Sequence, residues 1–514
     1  MASPTTADLQ RLDVSLVRGI AWTGAAKWSS QLLAWASTLV VARILTPNDY
    51  GLVSLATVYL GILALMSEFG LGSAVITLHD LTEQQIAQLN GLSVCLGLVG
   101  FAISCAAAVP LGRFFGSPDL PRVIVVMSIG FVISSFQSIP NSLLQKELRF
   151  KLLSVIEAIR YFTLSGMVVL FALLGFRYWT LVWGALLSSV LGTLLTLARR
   201  RHRLAWPCPS SLKHAIRFSR QVLVGRLAWY GYSNADFVVA GRMLGQTLLG
   251  TYTVAWNLAN SPLDKITSLV GTVTPAYYSA VQEDRGALRR YLLKPTEAIS
   301  LIMFPVMVGI ALVSRDAVLA VLGQKWQGAI APLQLLALYV CGRSIMPLIA
   351  QVLMVTGDSG FVMWNGIISA VALPIAFLIG SRWGPQGIAA AWVIAYPINA
   401  VPLYLRVSRR ISLSIAEFWH TLWPAIHGTV QMALAVLIGK VILSGHFTMV
   451  TRLAIQILTG AVAYIAVLLL FHRDRLSIFR SSIIFLAGKV DPSHLHCVDH
   501  NDSPIGVSAS LSRN

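Results

Sequence analysis

Val40-Val41-Ala42-Arg43-Ile44-Leu45-Thr46-Pro47-Asn48-Asp49-Tyr50-Gly51 sits inside a block, residues 18–72, that returns in diluted form 199 positions later. Arg18, Lys27, Arg43, Leu45, Gly51, Ala56 and Gly72 reappear as Arg217, Arg226, Arg242, Leu244, Gly250, Ala255 and Gly271. A duplicated block in a very apolar chain predicts two homologous halves facing each other, with whatever passes through lying between them. Lys27 and Arg226 keep a cation inside otherwise apolar spans, which points to an anionic cargo.

The chain is 514 residues long, 56% hydrophobic and only 12% charged. A soluble domain would carry about a quarter charged residues. Apolar runs of about 20 residues, each able to cross a hydrocarbon core of about 30 Å, recur along almost its whole length. The expected fold is therefore all-α and polytopic, because only helices satisfy their own backbone in lipid. Fourteen spans are expected, at roughly 20–42, 50–76, 89–109, 122–143, 152–174, 178–197, 217–240, 247–274, 292–313, 331–355, 361–380, 386–405, 424–443 and 451–471.

Of the 39 Lys and Arg, ten fall in odd-numbered connections and twenty-four in the termini and even-numbered ones. The positive-inside rule then places both termini in the cytoplasm. This distribution, rather than affinity for nucleic acid, explains the net charge of +18. A second match, Gly175, Trp183, Arg200 and Arg201 against Gly384, Trp392, Arg409 and Arg410, extends the duplication at a spacing of 209. Six spans per copy is an even number, so the two copies are parallel repeats about an axis along the membrane normal.

The expected organisation is a cytoplasmic N-terminus (1–19), an N-lobe (20–197), a basic linker acting as hinge (198–216) and a C-lobe (217–405). A cytoplasmic connection (406–423), two extra spans (424–471) and a cytoplasmic tail without fixed structure (472–514) complete it. The tail's His494, His496, Cys497 and His500 stand among Asp491, Asp499 and Asp502 and read as a polar tail, not a metal site. Five scattered cysteines suggest neither a disulfide framework nor a metal site. No cofactor is expected.

Five basic residues remain within spans: Lys27, Arg160, Arg226, Lys265 and Arg343. An ionised group at mid-bilayer costs a few kcal/mol, so it turns toward protein or water. Arg160 lies three residues from Glu157 and is expected to pair with it locally. That leaves Lys27, Arg226, Lys265 and Arg343 as candidates for cargo binding, with snorkelling to the headgroups as the plainer alternative. Glu68, Asp236 and Asp264 are the candidate carboxylates for coupling to a proton or sodium ion. Arg18/Arg217 and Arg43/Arg242 read as interfacial anchors on opposite sides of the membrane.

The stretch Val40–Gly51, followed by Glu68-Phe69-Gly70-Leu71-Gly72-Ser73-Ala74, resembles the opening of the polysaccharide-transport (Wzx-type) oligosaccharide flippases. These belong to the multidrug/oligosaccharidyl-lipid/polysaccharide exporter superfamily. Leu143-Leu144-Gln145-Lys146-Glu147-Leu148-Arg149-Phe150 resembles that family's fourth-to-fifth connection, and the likeness spans roughly residues 15–475. It implies two six-helix lobes in a V around a central cavity, plus two further helices. The implied cargo is a polyprenyl-pyrophosphate-linked oligosaccharide unit, moved outward across the bacterial inner membrane by alternating access for exopolysaccharide, capsule or lipopolysaccharide synthesis. Membrane lipids, a polysaccharide polymerase and export machinery are the implied partners.

A drug or cation exporter would need an acidic or apolar cavity, whereas Lys27, Arg226 and Lys265 outnumber acidic partners. A peptidoglycan-precursor flippase would handle the same pyrophosphate chemistry and stays open as an alternative. An enzyme, such as a membrane polymerase or acyltransferase, is disfavoured: no large external loop is present, and His427 is the only clear histidine within a span.

Overall fold

The computed structural model describes residues 36–473 apart from 79, 209–211 and 444–446; some helix side chains, Lys265 among them, also fall outside the description. Lys27, most of the first span and the tail histidines lie outside the described residues. Among those described, every regular element is helical. Ten segments among the described residues are long and apolar enough to cross a membrane, consistent with the expected fourteen spans.

The first helix, α1, is described over 36–44. Then come α2 (Pro47–Glu68), α3 (Leu71–Thr77), α4 (Glu83–Phe115), α5 (Leu120–Lys146), α6 (Phe150–Leu173) and α7 (Trp179–Arg199). The second half holds α8 (Lys213–Ser233), α9 (Ala235–Met243), α10 (Gln246–Ala280), α11 (Arg285–Ala317), α12 (Ile330–Arg343), α13 (Met346–Val355), α14 (Ser359–Gly380) and α15 (Gly384–Arg410). The final pair is α16 (Ile415–Leu443) and α17 (Met449–Phe471).

Three expected spans are each split into two helices. The second breaks at Phe69 and Gly70, both left-handed (φ 45° and 65°), the seventh at Asn234, and the tenth at Ser344–Ile345. Other helices outrun the apolar windows. Thr82 opens α4 with a reciprocal cap to Gln85, well before the apolar run starts, because capped polar turns continue a helix into the interface.

The duplication is visible as a pseudo-twofold contact between α2 and α10. Residues 199 apart meet each other across it. The hydroxyls of Ser54 and Thr253 lie 2.9 Å apart, and the Asn48 Oδ1 accepts from Thr247 Oγ1 at 3.3 Å. A Cβ added to Gly51 would lie 1.8 Å from the Gln246 carbonyl oxygen, and one added to Gly250 would lie 1.8 Å from that of Pro47. The two glycines let the backbones touch, as small residues do between membrane helices.

Around this contact the lobes are clamped at one end of the bundle. Trp326 Nε1 donates to Ala42 O (2.7 Å), and Lys325 Nζ donates to the carbonyls of Arg43 and Ile44 (2.7 and 3.0 Å). Arg43 in turn donates to Ala320 O and Val321 O (3.0 and 3.2 Å), in the π-helical turn that ends α11. Its repeat partner Arg242 lies over the Phe114 ring of the other lobe, 5.2 Å from its centroid. Arg43 and Arg242 thus also bind protein across the lobe contact, through helix-end carbonyls and an aromatic face; Arg18 lies outside the described residues.

The basic segment expected as the hinge is laid against the N-lobe over 202–205. Asn90 Nδ2 lies 3.4 Å from His202 O and 3.3 Å from Arg203 O, and Ala205 N donates to Ala87 O. Gly91 makes room for that strap, since a Cβ there would lie 2.0 Å from Ala205 O.

Candidate functional site

The described site residues fall into two places, one against each lobe; Lys27 and the Lys265 side chain lie outside the described residues. The first is a cleft of about 280 Å³ built on one face of α5. Ser134, Ser135, Gln137, Ser138, Asn141, Ser142 and Gln145 all line it, together with Ser73 and Ser93. Within lipid such a face must turn toward protein or water, and here it does. Several hydroxyls donate back to their own helix: Ser134 to Phe131 O (3.2 Å), Ser135 to Val132 O (2.8 Å) and Ser142 to Ser138 O (3.0 Å). Each such oxygen still has a lone pair to offer a ligand.

Neighbouring helices reach this face through small residues. A Cβ on Gly72 would meet Ser142 Oγ at 2.6 Å, and one on Gly97 would meet Ser135 at 2.7 Å. The left-handed pair Phe69–Gly70 turns the chain at the cleft, bringing Glu68 and Ser73 to the same wall.

Arg226 enters this cleft from α8 of the other lobe. Its Nη2 donates to Ser73 Oγ at 3.4 Å, and its Nη1 is 3.9 Å from Glu68 Oε2. Both charged side chains are about half exposed, and the pair is long. Glu68 and Arg226, expected in separate roles, are therefore neighbours. Tyr230, one turn further along α8, donates to Val58 O at 3.2 Å and fills the space above Gly61.

The second place is the interior of the C-lobe. Asp236 sits in the first turn of α9 and is fully buried. Its Oδ2 accepts from Tyr252 Oη (2.6 Å) and Trp392 Nε1 (3.0 Å), whereas its Oδ1 has no hydrogen-bond partner among the described residues. Phe237, Tyr252, Trp256, Tyr339, Phe377 and Trp392 form a continuous aromatic wall around it. Arg343 lies beyond that wall, donating to Asn260 Oδ1 (2.9 Å) with its guanidinium over the Tyr339 ring. Asp264 is among its charged neighbours. Arg343 is thus held in the C-lobe interior and does not line the Arg226 cleft, so these two described cations stand apart. Arg160 pairs with Glu157 at 2.8 Å, as its spacing predicts.

Sequence reasoning passed over the α5 face. Its signal was present: polar residues at 134, 138, 141 and 145 recur at helical spacing in an apolar span. Serines and amides carry no charge, so a reading that follows ionised groups does not register them. No cluster of three or more His, Cys, Asp or Glu suited to a metal occurs among the described residues.

Comparison with known proteins matches residues 40–331 to the family model described as "Polysaccharide biosynthesis protein". The chain belongs to that family. Members and relatives resemble it over most of their length. The lipopolysaccharide biosynthesis protein WzxC of Escherichia coli is 26% identical over 414 residues, covering 77% of this chain and 83% of that protein. The succinoglycan biosynthesis transport protein ExoT of Rhizobium meliloti is 25% identical over 478 residues, covering 90% and 94%. Among solved structures, the lipid II flippase MurJ in an inward closed conformation superposes with a TM-score of 0.71 at 15% identity, over 89% of this chain and 100% of that one. An inward-facing multidrug resistance MATE transporter of the MOP superfamily gives 0.57 at 19% identity, over 74% and 94%. This polysaccharide biosynthesis protein accordingly has the two-lobed, all-α fold of those transporters.

Proposed function

We propose that the protein flips a polyprenyl-pyrophosphate-linked oligosaccharide from the cytoplasmic to the outer leaflet by alternating access, and that the α5 cleft receives its head. One observation carries this reading: a hydroxyl- and amide-lined cleft inside a membrane bundle, with an arginine from the opposite lobe at its wall. Sugar hydroxyls both donate and accept, and so do Ser, Asn and Gln. Arg226 would take a phosphate, because charge-assisted contacts to phosphate are stronger than its 3.9 Å approach to Glu68. Lys27, Lys265 and Arg343 are further candidates for cargo binding, Arg343 at its own place in the C-lobe.

The count of basic residues supports cytoplasmic termini, which sets the Arg43/Arg242 clamp outward and the cleft end inward. The buried Asp236, with its free Oδ1, is the favoured seat for a coupling proton or sodium ion. Glu68 and Asp264 are the other candidates. The names of WzxC and ExoT, which concern polysaccharide biosynthesis and its transport, support the assignment of cargo.

The test is deletion of the gene followed by chemical analysis of lipid-linked intermediates. Intact oligosaccharide trapped on its lipid is expected; unchanged surface polymer refutes flipping. In the complemented strain, Arg226→Ala should lower export by roughly 10- to 100-fold, the worth of a charge-assisted hydrogen bond. The double change Ser138→Leu, Asn141→Leu should do likewise at normal protein level. Export near wild type in either would remove the cleft from the pathway.

A further inference from the structure

A cavity of about 500 Å³ lies between the start of α11 and the start of α16, where the extra helix pair joins the C-lobe. Arg290, Lys294, Glu297, Glu417, His420 and Thr421 line it. Glu417 is already neutralised: Arg289 Nε donates to its Oε1 at 2.7 Å, and a second guanidinium nitrogen holds Oε2. That fork ties α11 to α16 beside the cavity. Glu297 is buried and engaged.

Arg290 and Lys294 differ. They are four residues apart, on one face of α11, and both are exposed. Neither side chain makes a hydrogen bond or ion pair among the described residues. The cavity thus carries two uncommitted cations, with His420 and the Thr421 hydroxyl opposite them.

Its surroundings suit a lipid. On α16, positions 416, 420, 423 and 427 recur at i, i+4, i+7 and i+11 and share one face. From His420 that face runs along the helix to Trp423, 55% exposed, and to His427 stacked on it at 6.1 Å. A cavity with cations at the helix start and an exposed indole further along fits an amphiphile, not a free ion. Basic pockets between membrane helices are suited to lipid headgroups.

We propose that this cavity binds the headgroup phosphate of an anionic phospholipid, with Arg290 and Lys294 as its charge partners and an acyl chain lying along Trp423. The lipid holds the α16–α17 pair against α11. The site lies outside the α5 cleft, and its test does not depend on what the cleft carries.

The experiment uses the purified full chain in detergent, with native mass spectrometry and thermal melting as readouts. The probes are phosphatidylglycerol vesicles, phosphatidylcholine vesicles and glycerol phosphate. Phosphatidylglycerol alone should remain bound and raise the melting temperature. The double variant Arg290→Gln, Lys294→Gln should weaken its binding by roughly 30-fold, from the loss of two cationic contacts. Lys294→Gln alone, at an exposed position, should show an intermediate loss and guards against misfolding of the double variant. Arg315→Gln, at the other end of α11, should change nothing. Equal protection by phosphatidylcholine overturns the need for anionic charge, and equal protection by glycerol phosphate reassigns the cavity to a soluble phosphate. Undiminished phosphatidylglycerol binding by both variants overturns the site.

Discussion

Gly51→Ala should pry the two lobes apart at the clamp. The added Cβ would lie 1.8 Å from the Gln246 carbonyl oxygen. A carbon–oxygen contact needs about 3.3 Å, so α2 and α10 must separate there by about 1.5 Å. The obstacle is backbone on a helix start, which cannot swing aside as a side-chain tip could. A shift of that size breaks the Ser54–Thr253 contact (2.9 Å) and the bond from Gln246 Nε2 to Asn48 O (2.9 Å). Overpacking costs about 1–3 kcal/mol. Two lost hydrogen bonds add about 0.5–1.5 kcal/mol each. The clamped state is then disfavoured by roughly 2–6 kcal/mol, at least a 30-fold shift in population.

The assay is a spin-label distance between Arg113→Cys and Gln327→Cys, both exposed at the clamped end on opposite lobes, in a cysteine-free background. In liposomes the distribution should move to longer distances, and export should fall. Gly250→Ala should reproduce the effect, since its Cβ meets Pro47 O at the same 1.8 Å. The double variant should cost less than twice either change, because both relieve one contact. Gly166→Ala, with no atom within 4 Å of its Cβ, is the control. If Gly51→Ala and Gly250→Ala both keep the wild-type distances and export, the α2–α10 contact does not govern lobe closure.

Two other expectations concern carboxylates. Asp236→Ala leaves the Tyr252 hydroxyl without its acceptor, at about 1–3 kcal/mol, and should lower the melting temperature clearly, while the Trp392 N–H keeps the Tyr252 oxygen at 3.1 Å. Asp236→Asn keeps an acceptor oxygen and should melt near wild type while losing export; wild-type export by Asn would end the coupling role. Asp358, in the connection between α13 and α14, accepts from Arg406 at 2.8 and 3.2 Å and faces Arg410 at 3.6 Å. The hydrogen bond from Arg406, then its charge and that of Arg410, hold the Asp358 carboxyl below the usual range. A depressed folded value means the stabilisation is present above the unfolded pKa of about 3.9 and fades as pH falls through the folded one. The melting gap between wild type and Asp358→Asn should therefore be present at pH 7, shrink below about pH 4, and narrow in high salt; a gap unchanged across that range would contradict the pairing.

The helices were legible because each needs only an apolar run long enough for the bilayer, and the duplication was legible because Arg43/Arg242 and Gly51/Gly250 kept their spacing. What those glycines do was not legible. That Gly51 touches Gln246 depends on the distance between two helices, and spacing along one chain carries no such distance. Arg43 shows the same limit: its depth suggested an interfacial anchor but gave no hint of its partners, carbonyls just past α11, 277 and 278 residues away. Arg226 and Arg343 looked alike as embedded cations, yet Arg226 reaches the N-lobe's Ser73 and Glu68 whereas Arg343 stays on Asn260 inside its own lobe. The α5 face was hidden for another reason. Seven small polar groups barely lower the hydropathy of a 27-residue helix, although together they line the cleft.

The two halves have diverged in their interiors while keeping the contact between them. Asp236 stands 199 residues after Ser37, so the buried carboxylate has no charged counterpart in the N-lobe. Trp392 is buried against that carboxylate, whereas its repeat partner Trp183 is 38% exposed. The hydroxyl-lined cleft belongs to one lobe and the carboxylate with its aromatic wall to the other. Helix α10 joins them: Tyr252 binds Asp236, and the adjacent Thr253 meets Ser54 of α2 across the pseudo-twofold axis. Consecutive residues on a helix point about 100° apart, so α10 presents one side chain to the C-lobe interior and the next to the facing lobe. Any change at Asp236 that moves Tyr252 must therefore act on the same helical turn that carries Gly250 and Thr253 at the clamp, through rigid backbone rather than a chain of side chains.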